Sequence, residues 1–231
     1  MAMRICCGFD LRLSPGLLEE NPAQWDQFLL VPDKRSLISA DTMVWPEPDE
    51  VNSLIQNATM DFWNPLGLAR SLDLLLNACR DGAIPLSNLT PVCLTVSEGS
   101  LSALVKRCGS RYFDNALSEA DLLSSGWRFL GLDATQLSGL HSGLKGVGYK
   151  EPSWSQLRAQ FGTALNEVGL FSDEATAAQF AEARGIEIPS HAPFDVVGVL
   201  VHDPISQSIG TCASVPVRPD RRLHPVDPSL I

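Results

Sequence analysis

The stretch Phe194-Asp195-Val196-Val197-Gly198-Val199-Leu200-Val201 decides the fold class. From Val196 on it is apolar apart from one glycine, valine-rich, and no longer than a strand. A membrane-spanning helix needs about 20 consecutive apolar residues. The longest apolar runs of this chain are only strand-sized, so no such helix is expected. Working outward, similar strand-like segments lie at residues 3–9, 92–96, 127–132 and 210–217. Helical patterns separate them. Asn64-Pro65 opens one, with Leu66, Ala69, Leu72, Leu76 and Cys79 on a common face before Asp81-Gly82. Ser97 caps a second, where Leu101, Leu104, Val105 and Cys108 keep helical spacing up to Gly109. A third covers residues 153–169, with Trp154, Leu157, Phe161, Leu165 and Val168 on one stripe. A fourth covers 172–185 and is acidic in its first turn, as the helix dipole favours. Shorter helices are expected at 21–29, 48–57 and 118–125.

Strands and helices do not alternate regularly, so a doubly wound parallel sheet fits poorly. The expectation is an α+β fold: a single domain with a small mixed or antiparallel sheet covered by several helices. Residues 1–215 read as that domain and residues 216–231 as an extended, proline-punctuated tail.

With 231 residues and 45% hydrophobic content, the chain is long enough for one sizeable core without a disulfide or metal staple. Its net charge of −10 argues against nucleic acid or an anionic membrane as partner, since both demand a basic face. The six cysteines, at 6, 7, 79, 93, 108 and 212, form no C-x-x-C pair. Five of them sit in apolar contexts, where a free thiol behaves as a small buried hydrophobe. No zinc site and no cofactor are expected. The start Met-Ala-Met-Arg-Ile lacks the pattern of a signal peptide, so the expected location is cytoplasmic, with reduced thiols.

The charge is unevenly placed. Residues 1–100 hold 13 acids against 6 bases, whereas residues 101–231 hold 14 against 11. Residues 36–69 contain no Lys, Arg or His, yet include Asp41, Glu47, Asp49, Glu50 and Asp61. The same window holds Met43, Trp45, Met60, Phe62 and Trp63. Acids interleaved with large aromatics suit a surface that meets a basic protein: charge steers encounter and aromatics anchor it. Candidate contact residues are Trp45, Glu47, Asp49, Glu50, Asp61 and Trp63. The plain alternative is buried aromatics beside an ordinary solvated face.

Three strand-like segments end in aspartate: Asp10, Asp133 and Asp203. On parallel neighbouring strands, these carboxylates would line one sheet edge and could hold a divalent cation for phosphoryl chemistry. Aspartate also ends strands simply by forming Asx-turns. His191 and His202 bracket the 194–201 strand, and eleven extended residues span about 36 Å, too far to share a metal. His141 occupies the centre of Gly139-Leu140-His141-Ser142-Gly143, where a nucleophile elbow requires serine. The surrounding repeat, Leu137-Ser-Gly-Leu-His-Ser-Gly-Leu144, suits a packing or partner-contact element, as a helix or as a tight loop.

Trp127-Arg-Phe-Leu-Gly-Leu-Asp133, followed by that repeat and by Gly148-Tyr149, resembles a pattern in immunity-type proteins of bacterial polymorphic toxin systems. The resemblance spans about 23 residues, and the first hundred residues carry no counterpart. It implies a cytosolic, non-enzymatic binder that occludes a cognate toxin, and it assigns no individual contact residue. The leading expectation is therefore an acidic protein-binding module that neutralises a basic toxin domain. The alternative is a divalent-metal-dependent hydrolase using Asp10, Asp133 and Asp203.

Overall fold

The run first read as a strand becomes the central strand of the sheet. A computed structural model describes residues 3–13, 30–31, 66, 68–81, 89–113, 116–138, 141–144 and 153–202. Strands β1 (Arg4–Leu13), β2 (Leu89–Ser97), β3 (Trp127–Gln136), β4 (His141–Ser142) and β5 (Asp195–His202) pair antiparallel in the order β1-β2-β5-β3-β4. The helices among the described residues are α1 (Leu72–Asp81), α2 (Glu98–Cys108), α3 (Glu119–Ser124), α4 (Ser153–Phe161) and α5 (Glu174–Glu187). The α+β expectation holds, with an antiparallel sheet. The segment at 210–217 lies outside the described residues, as do the helices expected at 21–29 and 48–57.

Register explains why β5 is apolar at nearly every position. Val197, Val199 and Val201 pair with Val96, Leu94 and Val92, and all six belong to the larger core. Leu200 pairs with Cys93, and both belong to a smaller core on the opposite face with Cys6, Phe9, Leu75, Leu76, Cys79, Leu122 and Trp127. Helices and loops cover both faces, so neither set of alternate side chains can be polar. Each buried valine contributes about 1.5–3 kcal/mol relative to leaving it in water. Two bulges, between Cys6 and Gly8 and between Phe129 and Gly131, bend the sheet locally. At the second, Gly131 has φ 152°, and a Cβ there would sit 2.7 Å from the Leu170 Cβ. Any side chain would push away the segment that covers β3.

The caps act as their residue types dictate. Ser97 Oγ accepts from the Ser100 backbone N–H at 3.2 Å, and Gly109, with φ 96°, ends α2. Ser118 and Asp121 form a reciprocal capping box on α3. Asp173 accepts from the Thr176 N–H at 2.8 Å to start α5.

Two elements depart from expectation. Helix α1 begins at Leu72 rather than at Asn64-Pro65, because Ala69 is drawn into a bridge with Phe9. Their backbones exchange two hydrogen bonds of 2.9 Å along the outer edge of β1, while Leu66 and Leu68 are buried. Satisfying an open strand edge outweighs extending a helix by a turn. Helix α4 stops at Phe161 and gives way to a 3₁₀ turn. There the Asn166 side-chain oxygen Oδ1 accepts from the backbone N–H groups of Val168 and Leu170, a local alternative to helix that asparagine favours. Of the two forms open to the Ser-Gly-Leu repeat, helix or tight loop, its described residues take the non-helical one and join β3 to β4, with Thr135 opposite Ser142 and Gln136 opposite His141. On the same outer side of β3, Leu132 and Phe171 exchange hydrogen bonds of 2.8 and 2.9 Å, so both sheet edges are occupied.

Candidate functional site

Among the described residues, a concentrated cluster of buried charge lies at the start of edge strand β1, where the Arg4 side chain reaches across β2 to β5. Arg4 is only 6% exposed. Its Nη2 donates to the carbonyls of Thr95 at 3.0 Å and Val196 at 2.8 Å, and its Nη1 donates to Glu174 Oε1 at 3.2 Å. Glu119 Oε2 lies 3.5 Å from Arg4 Nε and accepts the Thr95 hydroxyl at 2.8 Å. Burial lowers the pKa of Arg4, and the carboxylates of Glu119 and Glu174 pull it back up; a guanidinium remains charged throughout. Gly198 makes the space: a Cβ on it would lie 2.4 Å from Thr95 Oγ1 and 3.0 Å from Arg4 Nε. This cluster ties β1, β2, β5, α3 and α5 together. Its donors are turned onto protein oxygens, so its chemistry is that of a lock.

A second lock joins α4 to α5. Arg184, 1% exposed, stacks its guanidinium 4.8 Å from the Trp154 ring and pairs with Glu187. Glu187 also accepts the Ser153 hydroxyl at 2.8 Å. Burial lowers the Arg184 pKa, and the charge of Glu187 opposes it.

Asp10 and Asp133 do not come together. Asp10 shares a cross-sheet row with Val92, Val201 and Arg128, whereas Asp133 shares one with Val197, Val96 and Ile5. Three strand spacings alone separate them by about 14 Å, far beyond the few ångströms at which two carboxylates share an ion. The strands are antiparallel, so the shared edge that the metal reading needs is not formed by this pair. Both side chains are buried, and Asp133 accepts the Ser142 hydroxyl at 2.8 Å, which pins the β3–β4 hairpin. Asp203 lies outside the described residues. Among the described residues, no group of three His, Cys, Asp or Glu side chains is placed to hold a metal.

His191 and His202 stand beyond and at opposite ends of β5, as extended chain requires. His202 packs against Trp127, with ring centroids 5.4 Å apart. His191 instead meets His141 across the fold at 6.4 Å, a pairing for which the sequence holds no signal.

The candidate partner residues Trp45, Glu47, Asp49, Glu50, Asp61 and Trp63 lie outside the described residues. Their flanks do not. Leu30, 1% exposed, donates its N–H to the Leu144 carbonyl at 2.9 Å, next to β4. Ala69 is bound to the outer edge of β1. Strands β4 and β1 are the two opposite edges of the sheet, so Leu30 and Ala69, which flank residues 32–65, rest on opposite edges. The first base after the acidic window, Arg70, donates to the Arg111 carbonyl at 2.6 Å. The guanidinium groups of Arg70 and Arg111 lie 5.8 and 4.7 Å from the Tyr112 ring centroid. A basic knot thus begins where the base-free run ends. Among the described residues, no helix is long and apolar enough to cross a membrane.

The sequence reading missed the Arg4 lock altogether. Its only trace is an arginine inside a strand pattern and a glycine inside the most apolar strand, which signals close approach without naming what approaches. In comparisons with known proteins, no family model, no curated protein and no solved structure matches the chain.

Proposed function

We propose that this protein is an acidic binding module of the immunity type, which neutralises a basic toxin domain in the cytoplasm by stoichiometric occlusion. The observation that carries the reading is the base-free window at 36–69, with five acids among large aromatics, within a chain of net charge −10. Anchorage of both flanks, at Leu30 and at Leu66 to Ala69, supports it. Ends held by a packed core reduce the ordering entropy that a free acidic peptide would lose on binding. The likeness of residues 127–149 to immunity-type proteins points the same way. The described buried charges do not compete for this role, because Arg4, Asp133 and Arg184 are engaged with protein groups.

The test is association with the basic protein that co-purifies when the neighbouring genes are co-expressed. Reversing Glu47, Asp49 and Glu50 together to lysine is expected to slow association by at least about tenfold at low salt and to flatten its salt dependence. Association kinetics indistinguishable from wild type at every salt concentration would remove the electrostatic basis of the reading.

A further inference from the structure

We propose that Cys6 and Cys93 form a dithiol that a hydroperoxide closes into a cross-strand disulfide, with helix α1 as the cover that controls access. The inference stands apart from the partner-binding reading and rests on three placements. The Cys93 thiol donates to Cys6 Sγ at 3.3 Å, between neighbouring strands β2 and β1. The bulge between Cys6 and Gly8 then separates the two adjacent cysteines. Cys6 enters the smaller core, whereas Cys7 enters the larger one and donates to the Leu94 carbonyl at 3.3 Å. Finally, Ala69 together with Leu75, Leu76 and Cys79 of α1 shares the smaller core with the pair.

Exposure sets the order of events: Cys6 keeps 5% of its surface open and Cys93 none, so Cys6 meets the oxidant first, with the Cys93 sulfur 3.3 Å away. Burial raises the pKa of Cys93, so its proton stays in place to be donated. Burial also pushes Cys79 up to about 11, which keeps it an unreactive thiol. Cys6 sulfur attacks one peroxide oxygen and the O–O bond breaks. The other oxygen leaves with the Cys6 proton, as water from hydrogen peroxide or an alcohol from an organic hydroperoxide, and Cys6 becomes a sulfenic acid. Cys93 sulfur next attacks Cys6 sulfur: the S–S bond forms, the S–O bond breaks, and hydroxide departs with the Cys93 proton as water. Two thiols lose two electrons, and the hydroperoxide gains them. The sulfurs close by about 1.3 Å to reach a covalent length of about 2.05 Å.

Access is the slow part. Cys6 is 5% exposed and Cys93 fully buried, so the oxidant reaches them when α1 lifts from the sheet, a local opening that costs less than global unfolding.

The experiment treats the full chain with hydrogen peroxide, then denatures it, alkylates free thiols and maps peptides without reduction. Wild type is expected to lose two alkylatable thiols and to yield a Cys6–Cys93 crosslink. Cys7→Ser keeps the crosslink and Cys6→Ser abolishes it. Cys93→Ser strands Cys6 as a sulfenic acid that dimedone traps. Leu76→Ala, which trims the underside of α1, speeds closure by about tenfold. Six alkylatable cysteines after oxidation, or a crosslink through Cys7 or Cys79, overturns the pair. A closure rate unchanged by Leu76→Ala overturns the role of α1. The wild-type map decides the first point alone, so a variant that fails to fold does not protect the proposal.

Discussion

Replacing Arg4 with methionine isolates what the central charge cluster contributes. The apolar stem is kept, and the guanidinium is removed. Two carbonyls, of Thr95 and Val196, lose a charged donor at 3.0 and 2.8 Å, and bonds to charged groups are worth about 1.5–3 kcal/mol each. Glu119 keeps only the Thr95 hydroxyl at 2.8 Å while remaining 19% exposed, so its carboxylate is left poorly compensated. Glu174 is 44% exposed and solvent-screened, and its pair adds at most about 1 kcal/mol. Taking the low end of each bond, and a small term for Glu119, gives about 4 kcal/mol. That lies within the range of about 3–5 kcal/mol for breaking a buried pair from one side. Urea unfolding should show the midpoint falling by roughly 1.5 M at an unchanged slope of about 2.5 kcal/mol/M. Glu119→Gln alone, and combined with Arg4→Met, closes a double-mutant cycle whose coupling should be about 1–3 kcal/mol. A methionine variant within about 1 kcal/mol of wild type, at the same slope, refutes the reasoning. It would mean that the burial of Arg4 costs as much as its bonds return.

Two further outcomes follow from neighbouring features. Gly198→Ala drives a Cβ to 2.4 Å from Thr95 Oγ1, and the overpacking should cost about 1–3 kcal/mol; urea unfolding measures it, and Thr95→Ala in the same chain should recover part of the loss. Asp173 at the start of α5 has its pKa lowered, first by the backbone N–H of Thr176 and then by the Thr176 side chain. A depressed folded pKa means that the capping stabilisation is present above the unfolded value of about 3.9 and is lost as pH falls through the folded one. Asp173→Asn keeps a capping oxygen but no titrating charge, so its stability should fall less steeply than that of wild type below about pH 4. Circular dichroism across an acid series reads the difference, and equal slopes would dismiss the Asp173 contribution.

Much of the secondary structure was legible in short windows, because its causes are short-range. Ser97 and Gly109 bracket α2 where a cap and a left-handed stop predict, and the valine-rich run at 196–201 is the strand it reads as. Boundaries failed where a distant backbone competed. Ala69 has a good helical position in sequence and is nonetheless taken by the edge of β1. The Ser-Gly-Leu repeat allowed helix or loop, and the buried bond from Ser142 to Asp133 goes with the hairpin. Asp10 and Asp133 stand apart for a related reason. Ending a strand in aspartate is a local property, whereas strand order is not, and two strands intervene between Asp10 and Asp133.

By itself, then, the sequence determined the α+β class, the apolar strand at 196–201, the cap and stop of α2 and the location of the acidic excess. Each follows from residue type and spacing within a turn or two of chain. Only the tertiary structure decided that Arg4 reaches Glu174, 170 positions away, that Cys6 meets Cys93 while Cys7 turns from it, and that Leu30 and Ala69 rest on opposite sheet edges. Contacts of this kind are made by strand order, a one-residue bulge and the packing of helices onto a finished sheet. Their energies depend on burial, and burial exists only once the whole chain has folded.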